Sequence, residues 1–204
     1  MYTPKMFAID DVQECIRFVR RESFGILCTP VGGKPFATHL PMLLSEDGST
    51  LLGHIATANP QWRELDGTEA LAVFQGPHSY ISPAWYEEPV DAPTWNYIAV
   101  HVYGRCRIVV EEEELHLILR ETLRVYEPKS PLLADERLFR RMAAGVTGFV
   151  IDVSSIDGKA KGSQNKTIAT RHSVIEHLRR TSDGQARATA DWMERLLPQR
   201  DRNG

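Results

Sequence analysis

The sequence predicts a mainly β fold with appended helices: a β-barrel decorated on its outside by helical segments. Two observations carry this. Strand-like runs recur along the chain and are joined by turn signals, with Gly32-Gly33 and Asp47-Gly48 marking two hairpins. A single short helix interrupts the early strands, and the longer helical patterns fall mostly after them.

The elements follow in order. Asp10 and Asp11 precede Val12, Cys15, Ile16 and Val19, which lie on one face of a helix, and Arg17, Arg20 and Arg21 suit its C-terminal end. Phe24–Thr29 and Phe36–Leu44 read as strands around the Gly-Gly turn, and Thr50–Ala56 as the third strand. A short helix over Pro60–Asp66 stops at Gly67, and Glu69–Gln75 resumes as strand. Residues 76–95, rich in Pro, Gly, Ser and aromatics, read as an ordered loop.

Tyr97–Val110 carries the clearest alternation. Ile98, Val100, Val102, Gly104, Cys106, Ile108 and Val110 share one face, which belongs to a core. Tyr97, His101, Tyr103, Arg105 and Arg107 share the other, which suits an interface or a ligand wall. Glu111–Tyr126 and Asp135–Ala144 read as helices, Thr147–Ser155 as the last strand, and Thr167–Arg180 and Ala188–Leu197 as surface helices separated by Asp183-Gly184.

With 204 residues, 42% hydrophobic and 25% charged, the chain supports one sizeable core. We divide it into residues 1–155, the barrel with inserted helices, and 156–204, a basic loop and helical extension packed on the same domain. No apolar run approaches the ~18–20 residues of a membrane span, and Met1–Asp10 shows no signal pattern, so a cytoplasmic protein without membrane contact is expected. Cys15, Cys28 and Cys106 form neither a disulfide framework nor a zinc set, and no metal site is expected. The net charge of -3 argues against a general polyanion binder, although residues 156–204 carry 10 basic against 6 acidic side chains.

Three segments bear chemistry. In Thr57-Ala58-Asn59-Pro60-Gln61-Trp62-Arg63, Asn59 is a good N-cap and Pro60 a good first helical residue, which leaves backbone N–H groups able to meet a phosphate, with His54, Thr57, Trp62 and Arg63 nearby. The same residues also describe a plain capped helix. Gln75 to Tyr86 and Pro93 to Tyr97 interleave Tyr80, Trp85 and Trp95 with Gln75, Asn96 and His78, enough to hold a flat heteroaromatic ring or to pin a long loop as an aromatic mini-core. Gly158 to Lys166 brings Lys159, Lys161, Gln164 and Asn165 into a basic turn without Walker spacing, for a phosphate or simply for solvent. No G-x-S-x-G, G-x-G-x-x-G or H-x-x-x-H pattern occurs, no helix-turn-helix stands out, and no residue is an evident acid, base or nucleophile, so catalytic residues stay unassigned.

Together, Met1-Tyr2-Thr3-Pro4, Phe36 to Pro41, Asn59-Pro60-Gln61-Trp62, Phe74 to His78, Tyr80-Ile81-Ser82-Pro83, Pro93 to Tyr97 and the run Gly158-Lys159 through Gln164-Asn165 resemble the PaiB-like family of bacterial FMN-binding negative transcriptional regulators. The resemblance runs from residue 1 to about 180. It implies a split β-barrel of the flavin reductase and pyridoxamine-phosphate oxidase type, a homodimer and FMN at the subunit interface. Under it, His54, Thr57, Asn59, Trp62, Arg63, Gln75, Tyr80, Trp85, Trp95, Asn96, Lys159, Lys161, Gln164 and Asn165 are the expected cofactor-binding residues. It also implies gene regulation, with DNA as a partner that the residues themselves do not name. A flavin-dependent oxidoreductase acting on a small substrate, and a haem-binding or haem-degrading split barrel, are the alternatives. Gly162 stands where the family generally has Leu, which would leave that loop freer to move.

Overall fold

The computed structural model describes residues 1–87 and 92–198. These form two compact units, one of residues 12–74 and 100–156, the other of residues 1–11, 75–87, 92–99 and 157–198.

The first unit holds a mixed α and β arrangement around a ring-closed sheet. Its strands are β1 (Phe24–Val31), β2 (Lys34–Leu44), β3 (Thr50–Ala56) and the parts of β4 (Glu69–Ile81), β5 (Thr94–Ile108) and β6 (Val146–Lys161) that fall in this unit, in the order β1-β2-β3-β6-β5-β4. β1 and β2 pair antiparallel from Phe24 opposite Pro41 to Val31 opposite Lys34. Gly32 and Gly33 close that hairpin at φ +57° and +73°, a left-handed pair that only glycine adopts cheaply. β3 pairs with β6 from Thr50 opposite Asp152 to Ala56 opposite Val146, and β1 with β4 from Ile26 opposite Val73 to Cys28 opposite Leu71.

Alternate residues fill the sheet interior: Leu27, Met42, Leu51, Phe74, Val102 and Phe149 are fully buried. Each such side chain contributes about 1.5–3 kcal/mol relative to exposure. Gly104 is required by close approach, because a Cβ there would run into the main-chain carbonyl of Asp152. On β5 the alternation holds through Cys106 except at Ala99, which is buried between Ile98 and Val100, and then lapses. Val109 is buried and Val110 lies exposed beyond the strand's end at Ile108.

Helix α1 (Val12–Arg21) buries Cys15, Ile16, Phe18 and Val19 but leaves Val12 half exposed. Leu52, on the outward face of β3, joins Val109, Leu115, Ile118 and Val150 in a second apolar cluster with α2 (Glu112–Tyr126). α3 (Glu136–Ala143) starts where Asp135 accepts from Leu138 N at 2.9 Å. Its Phe139 lies 4.3 Å beneath the Arg120 guanidinium and edge-on to His116.

In the second unit, residues 75–81, 94–99 and 157–161 of β4, β5 and β6 are joined by α4 (Ile168–Arg180) and α5 (Gly184–Arg195). The two helices pack on one another, with Val174 and Leu178 of α4 and Ala190 and Met193 of α5 buried. The N-terminal segment lies along β6: Ala8 pairs with Lys159, Ile9 N donates to Gly158 O at 3.1 Å, and the Met1 ammonium meets Asp157 at 2.6 Å.

Several boundaries differ from the sequence reading. Gly76–Ile81, read as loop, continues β4, and Gly158–Lys161, read as a turn, ends β6. Pairing with neighbouring strands outweighs the local turn preference of their glycines, proline and polar residues. Residues 88–91 of the expected loop lie outside the described residues. The helix over Pro60–Asp66 is a 3-10 turn, Pro60–Glu64. α5 begins at Gly184, with Asp183 capping Gln185 N at 2.9 Å, so the dipeptide read as a break is the helix start. Both C-terminal helices bury a full face and are not merely superficial. Among the described residues, no helix is long and apolar enough to cross a membrane.

Candidate functional site

The expected binding residues divide between the two units, and each set has its own geometry.

In the first unit, Asn59 does cap the turn that follows β3. Its Oδ1 accepts from Gln61 N at 3.0 Å, and its Nδ2 donates to Thr38 Oγ1 at 2.9 Å. Thr38 in turn donates to Gln61 Oε1 at 2.5 Å. Gln61 is fully buried and completes the set by donating from Nε2 to Thr29 Oγ1 and Leu27 O at 2.9 and 3.2 Å. Every polar atom of this side chain is bonded, so the group locks the 3-10 turn onto β1 and β2. Gln61 is the residue that the sequence reading passed over. Its only signal was the position two residues after a capping Asn.

Thr57 donates from both its N and its Oγ1 to Gly145 O at 3.1 Å, and Trp62 Nε1 donates to Thr57 O at 2.8 Å. Arg63 is exposed and lies 5.5 Å over the Trp62 ring. His54 lies elsewhere, on the outward face of β3, lining an apolar cavity between β3 and the α2–α3 helices. Burial holds its imidazole below the ordinary histidine pKa, so it is neutral near pH 7.

In the second unit, three strand segments contribute residues two apart: His78 and Tyr80 from β4, Trp95 and Tyr97 from β5, Lys159 and Lys161 from β6. The Trp95 ring lies 6.1 Å from Tyr80, edge-on, and 6.4 Å from His78. Trp95 is 54% and Tyr80 46% exposed, which leaves an aromatic ledge open to a flat partner. Lys161 Nζ donates to Trp95 O at 3.0 Å and also to Thr94 Oγ1. Its ammonium is held below the ordinary lysine range by burial and then by the neighbouring Lys159 charge. Lys159 is buried, donating to Tyr2 O at 3.2 Å with its ammonium 5.5 and 5.2 Å from the Tyr2 and Tyr97 ring centres.

The remaining expected residues take other places. Gln75 and Asn165 are exposed. Trp85 stacks on His177 at 5.4 Å and 12°. Asn96 is fully buried, donating to Ser163 Oγ at 2.9 Å and Met193 Sδ at 3.2 Å, while its Oδ1 has no partner. Gln164 accepts from Gly162 N at 2.7 Å and donates to Ala160 O at 2.5 Å, which braces its own loop. Gly162 is buried beneath α5, where an added Cβ would approach Leu196 Cδ1 to 2.7 Å. Its lack of a side chain is a packing requirement here rather than a source of looseness. Tyr97, on the face expected to be an interface or ligand wall, and Thr94 and Tyr2, which the sequence does not mark as binding residues, hold the two lysines. Their signal was the two-residue repeat of β5 and the N-terminal Tyr itself.

The ledge of the second unit suits a planar, electron-poor ring on Trp95 and Tyr80, beside an amine able to meet a carbonyl or an anion. That donor set fits a flavin. Among the described residues, no group of three or more His, Cys, Asp or Glu is placed to hold a metal ion.

Comparison with known proteins is consistent with this chemistry. The family model described as "Putative FMN-binding domain" matches residues 1–155. The chain is 40% identical over 205 residues to the protease synthase and sporulation protein PAI 2 of Bacillus subtilis (strain 168), covering 97% of this chain and 98% of that protein. It is 26% identical over 223 residues to an uncharacterised protein of Emericella nidulans, covering 86% of this chain and 89% of that one. Among solved structures, the flavocytochrome Anf3 of Azotobacter vinelandii superposes with a TM-score of 0.61 at 14% identity, over 76% of this chain and 69% of that one. The FAD and heme binding protein of Mycobacterium smegmatis gives 0.60 at 12% identity, over 76% and 73%. At such identities the structures establish the fold alone, a ring-closed sheet with helices packed on it.

Proposed function

The chain belongs to the PaiB-like FMN-binding family, and on that premise we propose that it is an FMN-binding negative regulator of transcription, a split barrel acting as a cytoplasmic homodimer with flavin at the subunit interface. The observation that carries the reading is end-to-end identity of 40% with the Bacillus subtilis relative. The Trp95–Tyr80 ledge with Lys161 beside it adds a chemical reason. Trp95 and Tyr80 would meet the isoalloxazine ring, and Lys161 a carbonyl or the phosphate. Bound FMN supplies a redox-active ring, and the chain's own residues bind and orient it. A second copy has an apolar surface to meet in the first unit: an open groove of about 530 Å³ lined by residues including Pro30, Phe36, Leu71 and Tyr103.

Titration of the purified protein with FMN and with riboflavin, beside light scattering, tests the binding part. Saturable FMN binding, tighter than riboflavin, by a particle of twice the 23.1 kDa chain mass is expected. Absence of flavin binding, or a monomer at micromolar concentration, would overturn that part. Deleting the gene should raise transcription of the genes it represses, and an unchanged transcript profile would count against regulation.

A further inference from the structure

We propose that Lys161 is a carbonyl-reactive amine, which forms a reversible imine with a planar aromatic aldehyde lying on the Trp95–Tyr80 ledge.

An amine attacks a carbonyl through its lone pair, so it must give up its third proton readily and must be within reach. Lys161 Nζ donates to Thr94 Oγ1 and to Trp95 O. A lysine ammonium carries three N–H bonds and the neutral amine two. The two acceptors therefore satisfy the neutral amine and leave its lone pair unused. Among the described residues, the charge that acts on Lys161 is the like charge of Lys159, and no carboxylate opposes it. Burial and that like charge both favour loss of the proton. The nitrogen is not sealed off, because Lys161 is only half-buried and its bond to Trp95 O lies in an exposed place.

Lys159, two residues earlier on β6, is arranged in the opposite way. It is buried, and its ammonium faces the Tyr2 and Tyr97 rings at 5.5 and 5.2 Å, which favour the charged form. Lys159 thus holds the fixed charge, and Lys161 is the nucleophile beside it.

The ledge sets the class of carbonyl compound. Trp95 and Tyr80 are exposed and stand edge-on to one another at 6.1 Å, which offers a ring face next to the amine. Two lysines disfavour a cationic substituent on the incoming ring and favour a carboxylate or phosphate. The step balances with no further reactant. Nitrogen bonds to the carbonyl carbon, the carbonyl oxygen leaves as water with the two amine protons, and C=N replaces C=O. Water reverses it. The ledge is the one used in the flavin reading, but no flavin takes part, so the two stand or fall separately.

The test incubates flavin-free, full-length protein with 4-carboxybenzaldehyde at neutral pH, then adds borohydride, whose hydride converts the imine to a stable secondary amine. Peptide mass spectrometry locates the label. Lys161 should carry at least about tenfold more label than the exposed Lys34 and Lys129, because docking adds proximity to nucleophilicity. Propanal, which has no ring to dock, should show a smaller preference for Lys161. Both readings are made on the wild-type protein and so do not depend on any variant folding. In Trp95→Ala, which keeps the main-chain carbonyl that holds Lys161, labelling of Lys161 by the aromatic aldehyde should fall at least about threefold. Label at Lys161 no greater than at Lys34 and Lys129, equal selectivity with propanal, or undiminished labelling in a folded Trp95→Ala would each overturn the proposal.

Discussion

Lys161 Nζ donates to the main-chain carbonyl of Trp95 at 3.0 Å. The bond fixes the cation of β6 at the root of the exposed indole of β5, so an aromatic plane and a positive charge stand side by side. Neither residue is buried in a core that would explain its identity, because Trp95 is 54% exposed.

Trp95→Ala is expected to weaken FMN binding by roughly 1–3 kcal/mol, the value of a buried aromatic contact on a ligand. Because the indole is exposed in the free protein, thermal stability should change little. Flavin titration and a melting curve on the same variant check both halves. Unchanged affinity in a folded variant would place the flavin ring elsewhere.

The preference for FMN over riboflavin should fall as pH rises toward the alkaline side. Lys161 has its pKa lowered by burial and by Lys159. Its unfolded form therefore holds the proton more tightly than its folded form, and the charged state costs stability below the folded pKa. That cost is relieved as pH rises through the folded pKa to the unfolded one. An anion held by Lys161 needs the protonated amine, so it is released over the same rise. Affinities for both flavins, measured from neutral to alkaline pH, should show a falling ratio with a midpoint below the usual lysine range. In Lys159→Gln that midpoint should move upward. A ratio flat with pH would remove Lys161 from the phosphate.

Gly162→Leu should destabilise this chain by about 1–3 kcal/mol. The added side chain meets Leu196 Cδ1 and Trp192 beneath α5. Chemical denaturation of the two proteins decides it. A gain in stability would mean that α5 shifts freely and that the glycine is incidental.

Gln61→Leu should cost roughly 2–4 kcal/mol, because it leaves Thr29, Thr38 and the Leu27 carbonyl without their partner in a buried place. Asn59→Ala should cost less, about 1–2 kcal/mol, the range for losing a cap. Unfolding in urea gives both values, and a larger loss for Asn59 would put the cap rather than the buried amide at the centre of the set.

By itself, the sequence determined those elements whose signals are local. The alternation of Ile98, Val100 and Val102, the Gly32-Gly33 turn and the capping residue Asn59 depend on backbone conformation within a few residues, and each stands where its chemistry requires. The family, too, was legible, because each of its motifs is a run of neighbouring residues and the runs follow one another in order along the chain. Only the tertiary structure decided that Gly76–Ile81 and Gly158–Lys161 are strands, since their hydrogen-bond partners come from residues distant in the chain. It also separated residues that look equivalent in sequence. His54, Asn59 and Arg63 sit within ten residues, yet one lines an apolar cavity, one locks a turn, and one lies open on an indole. Lys159 and Lys161 differ in the same way, the first enclosed by Tyr2 and Tyr97 and the second tied to Trp95. Burial and the partner across a strand set the charge and reach of such side chains, and neither quantity is a property of neighbours in sequence.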